Sequence, residues 1–159
     1  MTDPDTIIAV SSPAGYARRA IVRLSGPRVL ALLEDRFAPT DSQAPWGSSF
    51  RATPGALRLP DALEAPAILY VMRAPRSYTR EDVAEIHLPG SPALLDMVLE
   101  DLLGATGSDL RLARPGEFTE RAFLNGRIDL AQAEAVLAVI RARGASELLA
   151  ATARLEGGV

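Results

Sequence analysis

Apolar positions recur along this chain with two periods, and the switch between them outlines a mixed α+β protein. Residues 6–11 (TIIAVS) and 20–24 (AIVRL) are short, β-branched and mostly apolar, and predict two strands separated by the turn chemistry of Ser12-Pro13-Ala14-Gly15. Ser25-Gly26-Pro27 then opens a helix, with Val29, Leu30, Leu33 and Phe37 on one face. Residues 38–65 hold four of the 12 prolines and little periodicity, which predicts a long connection with one or two short strands near 49–52. Residues 67–73 (AILYVMR) predict a third strand. Residues 82–88 (DVAEIHL) alternate apolar and polar, which predicts a strand with one dressed and one buried face.

Helical spacing dominates the second half. Ser91-Pro92 begins a helix with the stripe Leu94, Leu95, Val98, Leu99 and Leu102, and Gly104 ends it. A short strand is expected at 110–113, then a short helix at 115–124 closed by Asn125-Gly126. Asp129 with Gln132 three residues on has the form of a capping box. One long helix is expected from there to about residue 156, with Gly144 as a kink, a close crossing or a plain weak point. The domain division implied is 1–128 for the α+β domain and 129–159 for the opening of a helical one.

Composition narrows the chemistry. The 159 residues include no cysteine and one histidine, which excludes disulfides, a thiol nucleophile and thiolate metal sites and makes zinc improbable. All 17 basic residues are arginine, so no lysine is present for a Schiff base or a phosphate-loop contact. The formal net charge of −3 is not the footprint of a nucleic-acid binder. The start is polar and acidic, unlike a signal peptide, and no apolar run approaches the roughly 20 residues of a membrane span, so an intracellular, cytoplasmic protein is expected. Neither GxxxxGK[ST] nor GxGxxG occurs, and no nucleophile elbow lies near His87.

The sharpest signal is the run Pro115-Gly116-Glu117-Phe118-Thr119-Glu120-Arg121-Ala122-Phe123-Leu124-Asn125-Gly126-Arg127-Ile128-Asp129-Leu130-Ala131-Gln132-Ala133-Glu134-Ala135. With Asp5-Thr6-Ile7-Ile8-Ala9, Ile21-Val22-Arg23-Leu24-Ser25-Gly26 and Ser77-Tyr78-Thr79-Arg80-Glu81-Asp82-Val83, all collinear, it resembles the N-terminal domain of the tRNA modification GTPases known as MnmE or TrmE. The resemblance implies an α+β domain related to folate-dependent aminomethyltransferases, with a mixed sheet and packed helices, that dimerises and binds a tetrahydrofolate one-carbon derivative (5-formyl- or methylene-tetrahydrofolate). It also implies cooperation with the flavin-dependent partner MnmG, also called GidA, in modifying the wobble uridine of certain tRNAs, with tRNA contacted only indirectly and no membrane involved. Neither a GTPase segment nor an evident catalytic residue is present in the 159 residues.

The resemblance carries three folate-contacting positions onto Arg23, Glu85 and Arg127. A carboxylate can accept from the adjacent N–H donors of a pterin edge, and arginine presents a planar fork to the carboxylates of a folate tail. Bland readings stand beside these. Arg23 also suits an ion pair, Glu85 a solvated strand face, and Arg127 the balance of Asp129 at a helix start. Phe118 and Phe123 read as core, and Glu117, Thr119, Glu120 and Arg121 as surface helix positions. Arg18-Arg19 and the Arg73, Arg76, Arg80 group read as solvated surface in preference to phosphate contacts.

Two segments depart from the family pattern. The glycine-rich turn is replaced by Pro13-Ala14-Gly15-Tyr16-Ala17-Arg18-Arg19-Ala20, and a Gly-His-Gly-Gly-like stretch by Leu88-Pro89-Gly90-Ser91. An alternative follows: a non-catalytic interaction or dimerisation protein that keeps the fold without the ligand. A free-standing one-carbon transferase ranks behind both, with His87 or Asp82 as its guessed base.

Overall fold

The structure is a computed structural model; it describes residues 5–47, 50–105, 107 and 109–157. The chain folds as two compact units, residues 1–77 with 81–113, and residues 78–80 with 114–159.

The first unit is a seven-stranded mixed sheet. The strands are β1 (Thr6–Val10), β2 (Ala17–Ser25), β3 (Phe37–Pro39), β4 (Arg51–Arg58), β5 (Glu64–Met72), β6 (Val83–Gly90) and β7 (Leu110–Leu112), in the order β3-β4-β5-β6-β2-β1-β7. Every pairing is antiparallel except β1 with β7. Helices α1 (Val29–Glu34) and α2 (Pro92–Leu103) supply Val29, Leu33, Val98 and Leu102 to one continuous core with Val22, Leu24, Leu69, Ala84 and Ile86 of the sheet. Side chains alternate across a strand, so Arg23, Glu85 and His87 belong to the other face.

Helix α2 begins and ends where the sequence signals it: the Ser91 hydroxyl accepts from the Leu94 N–H at 3.4 Å, and Gly104 is the C-cap. Phe37 is a correction, since it lies not on the helical face of α1 but in β3, where it is 3% exposed. The region expected as a long connection holds β3 and the eight residues of β4. Residue 49 of the expected 49–52 strand lies outside the described residues. Pro54 is tolerated in β4 because it falls just past the segment that β3 pairs, and its carbonyl accepts from Thr40 N–H at 2.9 Å.

In the second unit, α3 (Glu117–Leu124) is followed by α4 (Leu130–Arg141) and α5 (Ala145–Gly157). The capping box is complete: Asp129 accepts from Gln132 N–H at 2.8 Å, and the Gln132 side chain accepts from Asp129 N–H at 2.9 Å. The single helix expected over 129–156 is interrupted at Ala142, whose ψ of 127° leaves the helical region. Gly144 starts the next helix, accepting from Leu148 N–H, a position glycine tolerates far better than a helix interior. The α+β class with C-terminal helices stands as the sequence implies.

Ala133 of α4 and Ala151 of α5 are buried, whereas Ile140 and Leu148 are exposed. No described helix is long and apolar enough to cross a membrane.

Candidate functional site

Arg23 and Glu85 are register partners on β2 and β6. The Arg23 Nε and Nη2 both donate to Glu85 Oε1, at 2.9 and 2.6 Å, and the two side chains are 33% and 21% exposed. Residues directly opposite on neighbouring strands share a face, so this charged pair follows from register alone. Two of the three residues carried over by resemblance are thereby brought together.

His87 joins them from the same strand. Its i,i+2 spacing from Glu85 puts both on one face, and its Nε2 lies 3.1 Å from Glu85 Oε2. The ring also contacts Tyr70 of β5, with centroids 4.7 Å apart. The ring Nδ1 is buried without a hydrogen-bond partner among the described residues. Neither His87 nor Tyr70 is singled out by the sequence as part of a cluster with Glu85, although the i,i+2 spacing of the histidine carries that signal.

Burial pushes the Glu85 carboxyl up, but the hydrogen bonds and charges of His87 and Arg23 outweigh it and hold the group below its ordinary value of 4.5. Near neutral pH it is an ionised, acceptor-only group. A carboxylate offers about four acceptor positions. Arg23 occupies the two on Oε1 and His87 one on Oε2. Paired acceptance from two adjacent ligand N–H donors therefore requires His87 or Arg23 to turn aside. The donor and acceptor types suit a pterin edge.

Arg127 lies in the second unit, exposed, just before the capping box of α4; its backbone N–H donates to Ala122 O at 2.8 Å. Asp82, a guessed base, accepts from the Arg73 Nε and the Ala74 N–H, which ties it to its own loop. Among the described residues no group of His, Asp and Glu side chains is arranged to hold a metal ion.

The run at 115–135 proves more structural than its sequence suggests. Glu117, Thr119 and Arg121, expected on the surface, are buried. Glu117 accepts from Arg114 N–H at 2.7 Å and from Arg121 Nη2 at 3.4 Å, and Thr119 shares a 3.0 Å hydrogen bond with Tyr78. Asn125 donates to Thr79 O at 2.7 Å. Phe118 and Phe123, expected as core, are only part-buried and 37% exposed respectively. Thr119 and Asn125 thus tie α3 to residues 78–80, while Glu117 holds Arg114 and Arg121 around the start of the helix.

The family model described as "GTP-binding protein TrmE N-terminus" matches residues 6–127, which span all seven strands and α1 to α3. The chain belongs to this family. Relatives named tRNA modification GTPase MnmE support the assignment: that of Carboxydothermus hydrogenoformans is 44% identical over 96% of this chain and 33% of its own length. The relative from Geobacillus thermodenitrificans is 44% identical over 99% of this chain and 34% of its own, and that from Listeria innocua 41% over 98% and 33%. The chain therefore spans about a third of the length of the curated relatives it matches, and it corresponds to the TrmE N-terminal domain.

Proposed function

We propose that this TrmE N-terminal domain binds a tetrahydrofolate one-carbon derivative on the sheet face that carries Arg23, Glu85 and His87. The single observation behind the proposal is the half-buried Arg23–Glu85 pair, closed by His87, on the face of the sheet turned away from the core. Glu85 supplies acceptors for the N–H donors of the pterin edge, and Arg23 turns to a ligand oxygen when its own partner is taken. Arg127 is offered as a further basic contact for a ligand carboxylate, on resemblance alone. Residues 1–128 then form the ligand-binding domain and 129–159 open a helical domain.

On the same reading the domain dimerises and serves a cytoplasmic tRNA wobble-uridine modification GTPase acting with the flavin-dependent partner MnmG. The name the relatives carry supports the tRNA-modification part. A one-carbon group, when folate is bound, is the chemistry the ligand supplies. This chain's residues hold and orient it.

Titration with 5-formyltetrahydrofolate by calorimetry tests the proposal. Saturable binding that weakens in Glu85→Gln supports it, and absence of binding at millimolar ligand overturns it. The second reading, an interaction module without folate, draws on the replacement of the glycine-rich turn by Tyr16, Arg18 and Arg19. Under it, light scattering gives a dimer while folate leaves the melting temperature unchanged.

A further inference from the structure

Strand β2 carries an irregularity that the alternating pattern does not foretell. Ala17 pairs with Gly90 and Ala20 with Leu88, so three steps along β2 oppose two along β6. The extra residue is a β-bulge, and it falls at Arg18-Arg19. In a regular strand consecutive side chains point to opposite faces, whereas a bulge re-aims them. Both arginines here line one groove of about 340 Å³, a size within the range of small-molecule sites.

Thr40, Ile68, His87 and Pro89 also line this groove, and no acidic residue does. Among the described residues the side chains of Arg18 and Arg19 make no hydrogen bond or ion pair, and both are exposed. The bulge is locked from beneath by Gly90: a Cβ there would sit 2.4 Å from the Ala17 carbonyl oxygen. The groove is continuous with the Glu85 cluster, because His87 belongs to both. Its charge is positive in a chain whose formal net charge is −3.

We propose that this groove is an anion subsite that receives a flexible ligand tail bearing several carboxylates, such as the γ-linked oligoglutamate of a folate, with Arg18 and Arg19 as its paired contacts. The inference rests on the folate reading above. It adds that ligands with longer glutamate tails are preferred. Guanidinium forks match carboxylates, and two of them side by side suit a tail that repeats the carboxylate along its length.

The test compares 5-formyltetrahydrofolate carrying one glutamate with the same compound carrying five. The wild-type domain binds the longer form about tenfold more tightly, the sum of two exposed charge contacts, and the advantage shrinks in high salt. In Arg18→Gln/Arg19→Gln, which keeps the length of the bulge while removing its charge, the ratio of the two affinities falls to about two or less. Equal affinities in the wild type, or an advantage that survives in the double variant, overturn the subsite and leave the folate reading intact. Absence of binding by either compound overturns both. Arginine-dependent binding of an anticodon-stem oligonucleotide, with no effect of tail length, overturns the subsite in favour of a nucleic-acid backbone contact.

Discussion

Glu85 stands directly across the sheet from Arg23, and one of its oxygens takes both the Nε and the Nη2 of that arginine while the other faces His87. The carboxylate is held from two sides before any ligand arrives. Ligand binding at Glu85 therefore exchanges one set of charge-assisted hydrogen bonds for another, and the native pair is part of what a ligand must displace.

That exchange separates stability from affinity. Glu85→Gln keeps the shape of the side chain and removes its charge. The domain loses about 1 kcal/mol or less, because the pair is partly open to solvent. Affinity for 5-formyltetrahydrofolate falls about tenfold or more, the usual effect of losing a charge-assisted acceptor. Urea denaturation measures the first and calorimetry the second.

Acid exposes the same group. Its folded value lies below the ordinary 4.5. A depressed carboxylate contributes stability that is fully present above its unfolded value and is lost as pH falls through the folded one. The stability difference between the wild type and Glu85→Gln accordingly holds from neutral pH down to about 4.5 and closes below it. Urea midpoints at pH 6, 5, 4 and 3 follow the difference; a gap that widens on acidification contradicts the assignment.

Gly90→Ala tests the close approach of β2 and β6. The new Cβ meets backbone at 2.4 Å from the Ala17 oxygen, and backbone cannot swing aside as a flexible side chain can. The substitution costs about 2–3 kcal/mol, within the range of overpacked positions. A change below about 0.5 kcal/mol in chemical denaturation shows that the strand end relaxes freely.

In the second unit, Glu117→Ala removes a buried acceptor shared by Arg114 N–H and Arg121. Loss of a buried, hydrogen-bonded carboxylate from a charged pair costs about 3 kcal/mol. Asp129→Ala removes only an exposed cap and costs about 1 kcal/mol. Circular-dichroism melts of the two variants rank them in that order.

Strands and helices are legible in the sequence wherever one period dominates. Helix α2 carries its own start and stop in Ser91 and Gly104, and β6 alternates from Ala84 to Leu88. Where prolines interrupt, as in β4, tertiary pairing overrides local preference. Gly144 is visible in the sequence as a weak point, yet the break it accompanies depends on how the chain turns at Ala142. Resemblance is enough to name Arg23 and Glu85, but their direct contact depends on register, which no single strand encodes. The buried polar residues of α3 read as surface positions because burial of Glu117 is made tolerable by partners at Arg114 and Arg121 that only the folded helix supplies.

The parallel pairing of β1 with β7 places the last strand of the sheet beside the first. During synthesis β1 emerges about a hundred residues ahead of its neighbour, and until Leu112 is available one edge of β1 presents bare amide and carbonyl groups. Closing that edge is a long-range event and a slow one. The nascent chain therefore carries an open strand template from the emergence of β1 until β7 follows it.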